Sequence, residues 1–139
     1  MKRFVSLSLL ALGLIAGVLA GFGIIHAADK PKSIKEVMKL VHNEDGIRDT
    51  ISESLAKKPA DWATVSTKSK EWVDAATDMT KGKPKKGSAE SWKKLSTKWL
   101  NDAKALHTAS EKKDLKAAQT ALKSLGTSCK ACHTAHKGK

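Results

Sequence analysis

Residues 114–133 read DLKAAQTALKSLGTSCKACH. Leu115, Ala118, Leu122, Leu125, Cys129 and Cys132 recur there at alternating steps of three and four. That spacing puts all six on one face of an α-helix. The stretch predicts a helix beginning near Asp114 whose core stripe runs directly into two cysteines. His133 lies beside the stripe.

Working outward, the preceding run repeats the pattern. Trp92, Leu95, Trp99, Ala103 and Leu106 again step by three and four, from near Ser88 to around Ser110. Before it lies Gly82-Lys83-Pro84-Lys85-Lys86-Gly87, a basic, turn-rich loop too short to link domains. Asp61 is placed to cap a third run, with Trp62, Val65, Trp72, Val73, Ala76 and Met79 on one face. The first run opens with Ser33 and Glu36, a capping box preceded by Pro31. Ile34, Val37, Met38 and Val41 follow at helical spacing. Asn43-Glu44-Asp45-Gly46 interrupts the stripe, which resumes at Ile47, Ile51 and Leu55 and stops at Pro59. This is one helix with a break or bulge near Gly46, or two short helices in series. No run alternates with period two, and the chain has no tyrosine. Four amphipathic segments with short connections predict an all-α protein, an antiparallel four-helix bundle.

Residues 1–27 have the layout of an export signal. Lys2 and Arg3 form a basic start, and Phe4 to Ile25 carries no charge. The expected cleavage follows Ala27, so that residues 28–139 form the mature domain. The apolar run is long enough that an uncleaved membrane anchor is the alternative. The 112 residues left after cleavage suffice for one domain with a single core. Two of the 26 Lys and Arg leave with the signal, so 24 face 14 acids and the formal charge falls from +12 to +10. The charge is nearly all lysine, with no arginine-rich or aromatic-interleaved patch. With the export signal, this argues against nucleic acid. It reads as a solvated lysine surface, with docking on acidic redox partners as the functional alternative.

Cys129 and Cys132 are the only cysteines. With His133 they spell C-x-x-C-H, the pattern of covalent haem attachment: two thiols add to the haem vinyl groups, and the histidine offers an imidazole to the iron. Two other readings compete. A zinc site could use Cys129, Cys132, His133 and His136, but zinc usually gathers two separated pairs, and four ligands within eight residues of one helix converge poorly. A redox disulfide normally sits at a helix N-terminus. That would require the helix to break at Gly126 and restart with Ser128 as its cap.

A C-x-x-C-H near the C-terminus of a short, exported, all-helical chain resembles the class II cytochromes c, the cytochrome c-prime family. The likeness covers the mature domain in layout. In residues it rests on Cys129-Lys130-Ala131-Cys132-His133, and loosely on Ile34-Lys35-Glu36-Val37-Met38. It implies a four-helix bundle, often dimeric, holding one haem c between its helices. Cys129 and Cys132 would form the thioethers and His133 would be the proximal ligand. The first helix would line the opposite face of the haem, with Met38 as the possible sixth ligand to the iron. Lys137 would lie near a haem propionate.

Met38 could equally be core filler, since methionine adapts to irregular gaps. His42, one turn further, is a less favoured distal ligand and would make the site bis-histidine; otherwise it is a surface residue. His107 and His136 read as surface or propionate-neighbouring residues. Trp62, Trp72, Trp92 and Trp99 read as core, with one of them available to pack on a porphyrin. The leading expectation is a periplasmic c-type cytochrome that transfers single electrons and is not an enzyme. The alternative is a five-coordinate haem protein that binds NO or CO. A peroxidase ranks last: Arg48, the one arginine outside the signal, lies beyond the break in the first segment.

Overall fold

The computed structural model describes residues 30–137. The export signal expected over 1–27, cleaved or retained as an anchor, lies outside the described residues. Among them, five helices and no strand occur: α1 (Ile34–His42), α2 (Ile47–Ala56), α3 (Trp62–Lys81), α4 (Ala89–Glu111) and α5 (Leu115–His136). The bundle is an antiparallel four-helix one in which α1 and α2 in series make up the first arm. None of these helices is long and apolar enough to cross a membrane.

Four of the five helices start where a side chain takes up an orphan backbone donor; α2 starts at Gly46 without one. Ser33 accepts from the Glu36 amide at 3.3 Å while the Glu36 carboxylate accepts from the Ser33 amide at 2.7 Å. Asp61, Ser88 and Asp114 accept from the third residue on in α3, α4 and α5. Such caps contribute about 1 kcal/mol each. The interruption at 43–46 resolves into two short helices. Asp45 takes φ 60, and a Cβ on Gly46 would lie 2.6 Å from the Asn43 carbonyl oxygen and 2.8 Å from that of Val41. Only a residue without a side chain lets the chain turn this tightly.

The core is built on the expected stripes. Val37, Val41, Ile47, Ile51, Val65, Trp72, Leu106 and Leu125 are fully buried. Trp72 meets Trp99 edge to face, with ring centres 6.2 Å apart. Ala75, Ala76, Ala103 and Ala118 let the helices approach closely. Truncating Leu106 or Leu125 to alanine would cost about 2–5 kcal/mol. The periodic stripe overreaches in places. Leu115 is exposed, and Trp62, Leu95 and Leu122 are half-buried. Buried Ser69, Ser96 and Ser110 sit among the apolar residues because each hydroxyl donates to the carbonyl three residues back.

The arms do not close evenly. α3 packs along α2 and α4, and α4 along α5. The seam between the first arm and α5 is sparse: α2 touches α5, but no α1 Cα comes within 8 Å of a Cα in α4 or α5. This gap positions the site.

Candidate functional site

The gap holds an apolar pocket with a cavity volume of about 170 Å³. That is below the roughly 300–1,000 Å³ of small-molecule and cofactor sites, so a large group would have to widen the gap. Ile34 and Met38 from α1, Met79 from α3, and Trp92 and Trp99 from α4 form its walls. α5 contributes Ser128, Cys129, Cys132, His133 and His136. The expected site residues are therefore gathered in one place. His133 Nε2 lies 3.4 Å from the sulfur of Met38, across 95 residues of sequence. His42 stands beside them, its ring centre 6.1 Å from that of His133 and tilted by 50°. Burial, followed by the His133 and Arg48 charges, lowers the His42 pKa from its ordinary value. A neutral imidazole is the form that can bind a metal.

Both thiols are free and half-buried. Burial pushes the Cys129 thiol up, partly offset by the Trp99 indole and by Arg48. Burial also raises Cys132, with Cys129 adding to it. Thiols shifted this way are poor nucleophiles. They stand in the last turns of α5, which runs through Gly126 without a break. The helix restart that a redox disulfide would need does not occur. Nor do three or more His, Cys, Asp or Glu side chains among the described residues converge in a way that could hold a metal ion. Cys129, Cys132, His133 and His136 do not form a zinc cage.

Two neighbouring clusters hold α5 in place. Asp102 on α4 accepts hydrogen bonds from Lys98 at 2.8 Å, Ser124 at 3.0 Å and Ser128. Burial would raise its pKa, but the hydrogen bonds from Lys98, Ser128 and Ser124 outweigh this and hold it below its ordinary value. This knot joins α4 to α5 at the residue before Cys129. The second cluster centres on His136, which is buried and lines the pocket, so of its two expected settings, on the surface or beside a propionate, the surface one does not hold. Its Nδ1 donates to the Lys86 carbonyl at 2.8 Å, and its Nε2 accepts from Ser91 at 3.1 Å. Its ring meets Trp92 edge-on, with centres 5.2 Å apart. The basic loop folds down on it because Gly87 takes φ +84 and carries no Cβ. A Cβ there would lie 2.5 Å from His136 Nδ1. His107 is likewise not a free surface residue: it bonds Ser69 at 3.0 Å, and it is not among the pocket residues.

The chain matches no protein-family model, no curated protein and no solved structure.

The donor types are those a haem c takes, although the gap would have to widen to hold a porphyrin. A porphyrin needs a mostly apolar slot, two thiols on one side and an imidazole aimed at the iron. The pocket walls are apolar, and Cys129, Cys132 and His133 share one end of it. Of the three buried side-chain polar atoms without a partner among the described residues, two are the indole Nε1 atoms of pocket residues Trp92 and Trp99. Orphaned donors beside a cavity suit a site that a polar-edged ligand completes. Local periodicity did not point to Ile34, Met79 or Ser96 as pocket residues, because each is an ordinary stripe or helix position until the arms are assembled.

Proposed function

We propose that this chain is a monohaem c-type cytochrome that carries single electrons. The observation that carries this reading is the 3.4 Å approach of His133 Nε2 to the Met38 sulfur at the mouth of an apolar pocket that Cys129 and Cys132 also line. In this reading Cys129 and Cys132 would hold the haem covalently, and His133 and Met38 would be the side chains offered to its iron. The haem supplies a one-electron couple whose potential a thioether ligand raises. The protein orients His133 from the last turn of α5. It presents Met38 from α1 and keeps water away with Ile34, Met79, Trp92 and Trp99. The low polarity of these walls tunes the potential through the local dielectric. The lysine surface is suited to acidic redox partners, and export to the periplasm fits a haem attached through thioethers. A homodimer remains the assembly that the resemblance implies.

The test is expression with an export signal and c-type maturation factors, followed by ferric and ferrous spectra with and without CO. Covalent haem that is six-coordinate and low-spin in both states, and slow to bind CO, supports the carrier. A high-spin protein that binds CO readily replaces it with the gas-binding reading. No covalent haem in the purified protein overturns both.

A further inference from the structure

We propose that α1 carries two distal iron ligands in tandem, Met38 and His42, and that His42 takes the iron when Met38 is absent or displaced. This inference rests on the haem reading above and goes beyond it by assigning His42 a role of its own.

The two side chains are four residues apart on one helix, so they are neighbours on the same side, about one turn apart. Both stand against His133. Two imidazoles sharing one metal hold their ring centres roughly 6 Å apart, given metal–nitrogen bonds of about 2.0–2.1 Å and the size of the ring. The His42 and His133 centres are 6.1 Å apart. A nitrogen and a sulfur sharing one metal would be roughly 4.3 Å apart, from bonds of about 2.0 and 2.3 Å. Met38 is nearer than this, at 3.4 Å. Outward movement of α1 is therefore needed for Met38 to ligate, and the histidine pair already has the wider spacing. α1 can move: it has nine residues, packs on α2 and α3, and makes no close backbone approach to α4 or α5. His42 is the last residue of α1, where a side chain can be re-aimed without breaking the helix.

In the exchange His42 donates a ring-nitrogen lone pair where the Met38 thioether had been. One iron–sulfur bond is replaced by one iron–nitrogen bond. No electron is transferred, and a neutral imidazole gives up no proton.

The experiment compares four holoproteins: wild type, Met38→Ala, His42→Ala and the double variant. Met38→Leu, close in volume, runs beside Met38→Ala so that a packing defect does not decide the answer. Coordination is read by absorption and EPR spectra, the midpoint potential by titration, and access to the iron by CO binding. The expected result is that Met38→Ala and Met38→Leu stay six-coordinate and low-spin, with a lower potential than wild type. Their apparent CO affinity should be at least roughly ten-fold weaker than that of the double variant, because only the fraction with His42 released can bind. The double variant should be five-coordinate. His42→Ala should keep the wild-type spectrum. If either Met38 variant is high-spin and binds CO as readily as the double variant, the tandem is overturned while the carrier reading stands. A double variant that is still six-coordinate also overturns it. Loss of covalent haem from the wild type overturns both.

Discussion

Asp102→Ala tests how firmly α5 is held on α4 just ahead of the cysteines. The Asp102 side chain is 15% exposed, and the Ser128 residue it accepts from is 3% exposed. Its partner Lys98 is 53% exposed, so its ammonium rehydrates on truncation and that pair is worth about 0.3–0.5 kcal/mol. The two serine hydroxyls donate to a charged acceptor away from bulk water, and such bonds contribute about 1.5–3 kcal/mol each. Alanine recovers about 0.5–0.7 kcal/mol through its better helix propensity. The net expected loss is about 3–6 kcal/mol. For a domain of this size that lowers Tm by roughly 10 °C or more. Urea unfolding followed by circular dichroism measures it, with Asp102→Asn as the variant that keeps one acceptor and loses the charge.

The pH dependence gives a second readout with a definite sign. The folded Asp102 pKa is below its ordinary value. Its stabilisation is therefore fully present above the unfolded value of about 3.9 and is lost as pH falls through the lower folded value. The gap between wild type and Asp102→Ala should be constant above about pH 5 and should narrow below about pH 4. A loss under about 0.5 kcal/mol at neutral pH, the size of an ordinary surface substitution, would refute the reasoning.

Three further outcomes follow from the same geometry. Gly126→Ala should stabilise the protein by about 0.5–1 kcal/mol, because Gly126 is helical and nothing lies within 4 Å of an added Cβ; a lower unfolding midpoint would count against this. Gly87→Ala should destabilise by about 1–3 kcal/mol, since the residue sits at φ +84 and its new methyl group would press on His136; nuclear magnetic resonance shifts of the His136 ring should move with it, and an unchanged ring would contradict the contact. In the haem-free folded protein, Cys129 and Cys132 should alkylate more slowly at pH 7 than a free thiol and speed up on denaturation, because burial raises both pKa values; fast alkylation of the native state would reject that account.

Much of the fold was legible in the residues themselves. Ser33 with Glu36 and Asp61 gave helix starts because capping is local chemistry, visible within four residues. The steps of three and four through Trp92, Trp99 and Leu106, and through Ala118 and Leu125, marked the faces that are buried. The periodicity could not tell one bent helix from two at Gly46. That depended on how closely the Asn43 and Val41 carbonyls approach the glycine. It also placed Leu115 on a core stripe, although that residue, first in α5, is exposed. The pocket was legible only in part. The C-x-x-C-H pattern and Met38 stood out by residue type. The burial of His136 did not, because it depends on a loop fifty residues away folding back over it. The approach of His42 to His133 is also a property of assembled arms, invisible to spacing along one helix.

The Met38–His133 juxtaposition has a consequence for the chain as a polymer. It brings together residues 95 positions apart, so one tie there closes nearly the whole described chain into a single loop. A cross-link closing a loop of that length removes about 4.7 kcal/mol of entropy from the unfolded ensemble. With both residues on one iron, the bond that sets the reduction potential would also fasten the first arm to the last. Any change that weakens the distal bond would then loosen the bundle, and the oxidation state that binds Met38 more tightly would be the more stable fold. Redox state and resistance to unfolding would be two measurements of the same clasp.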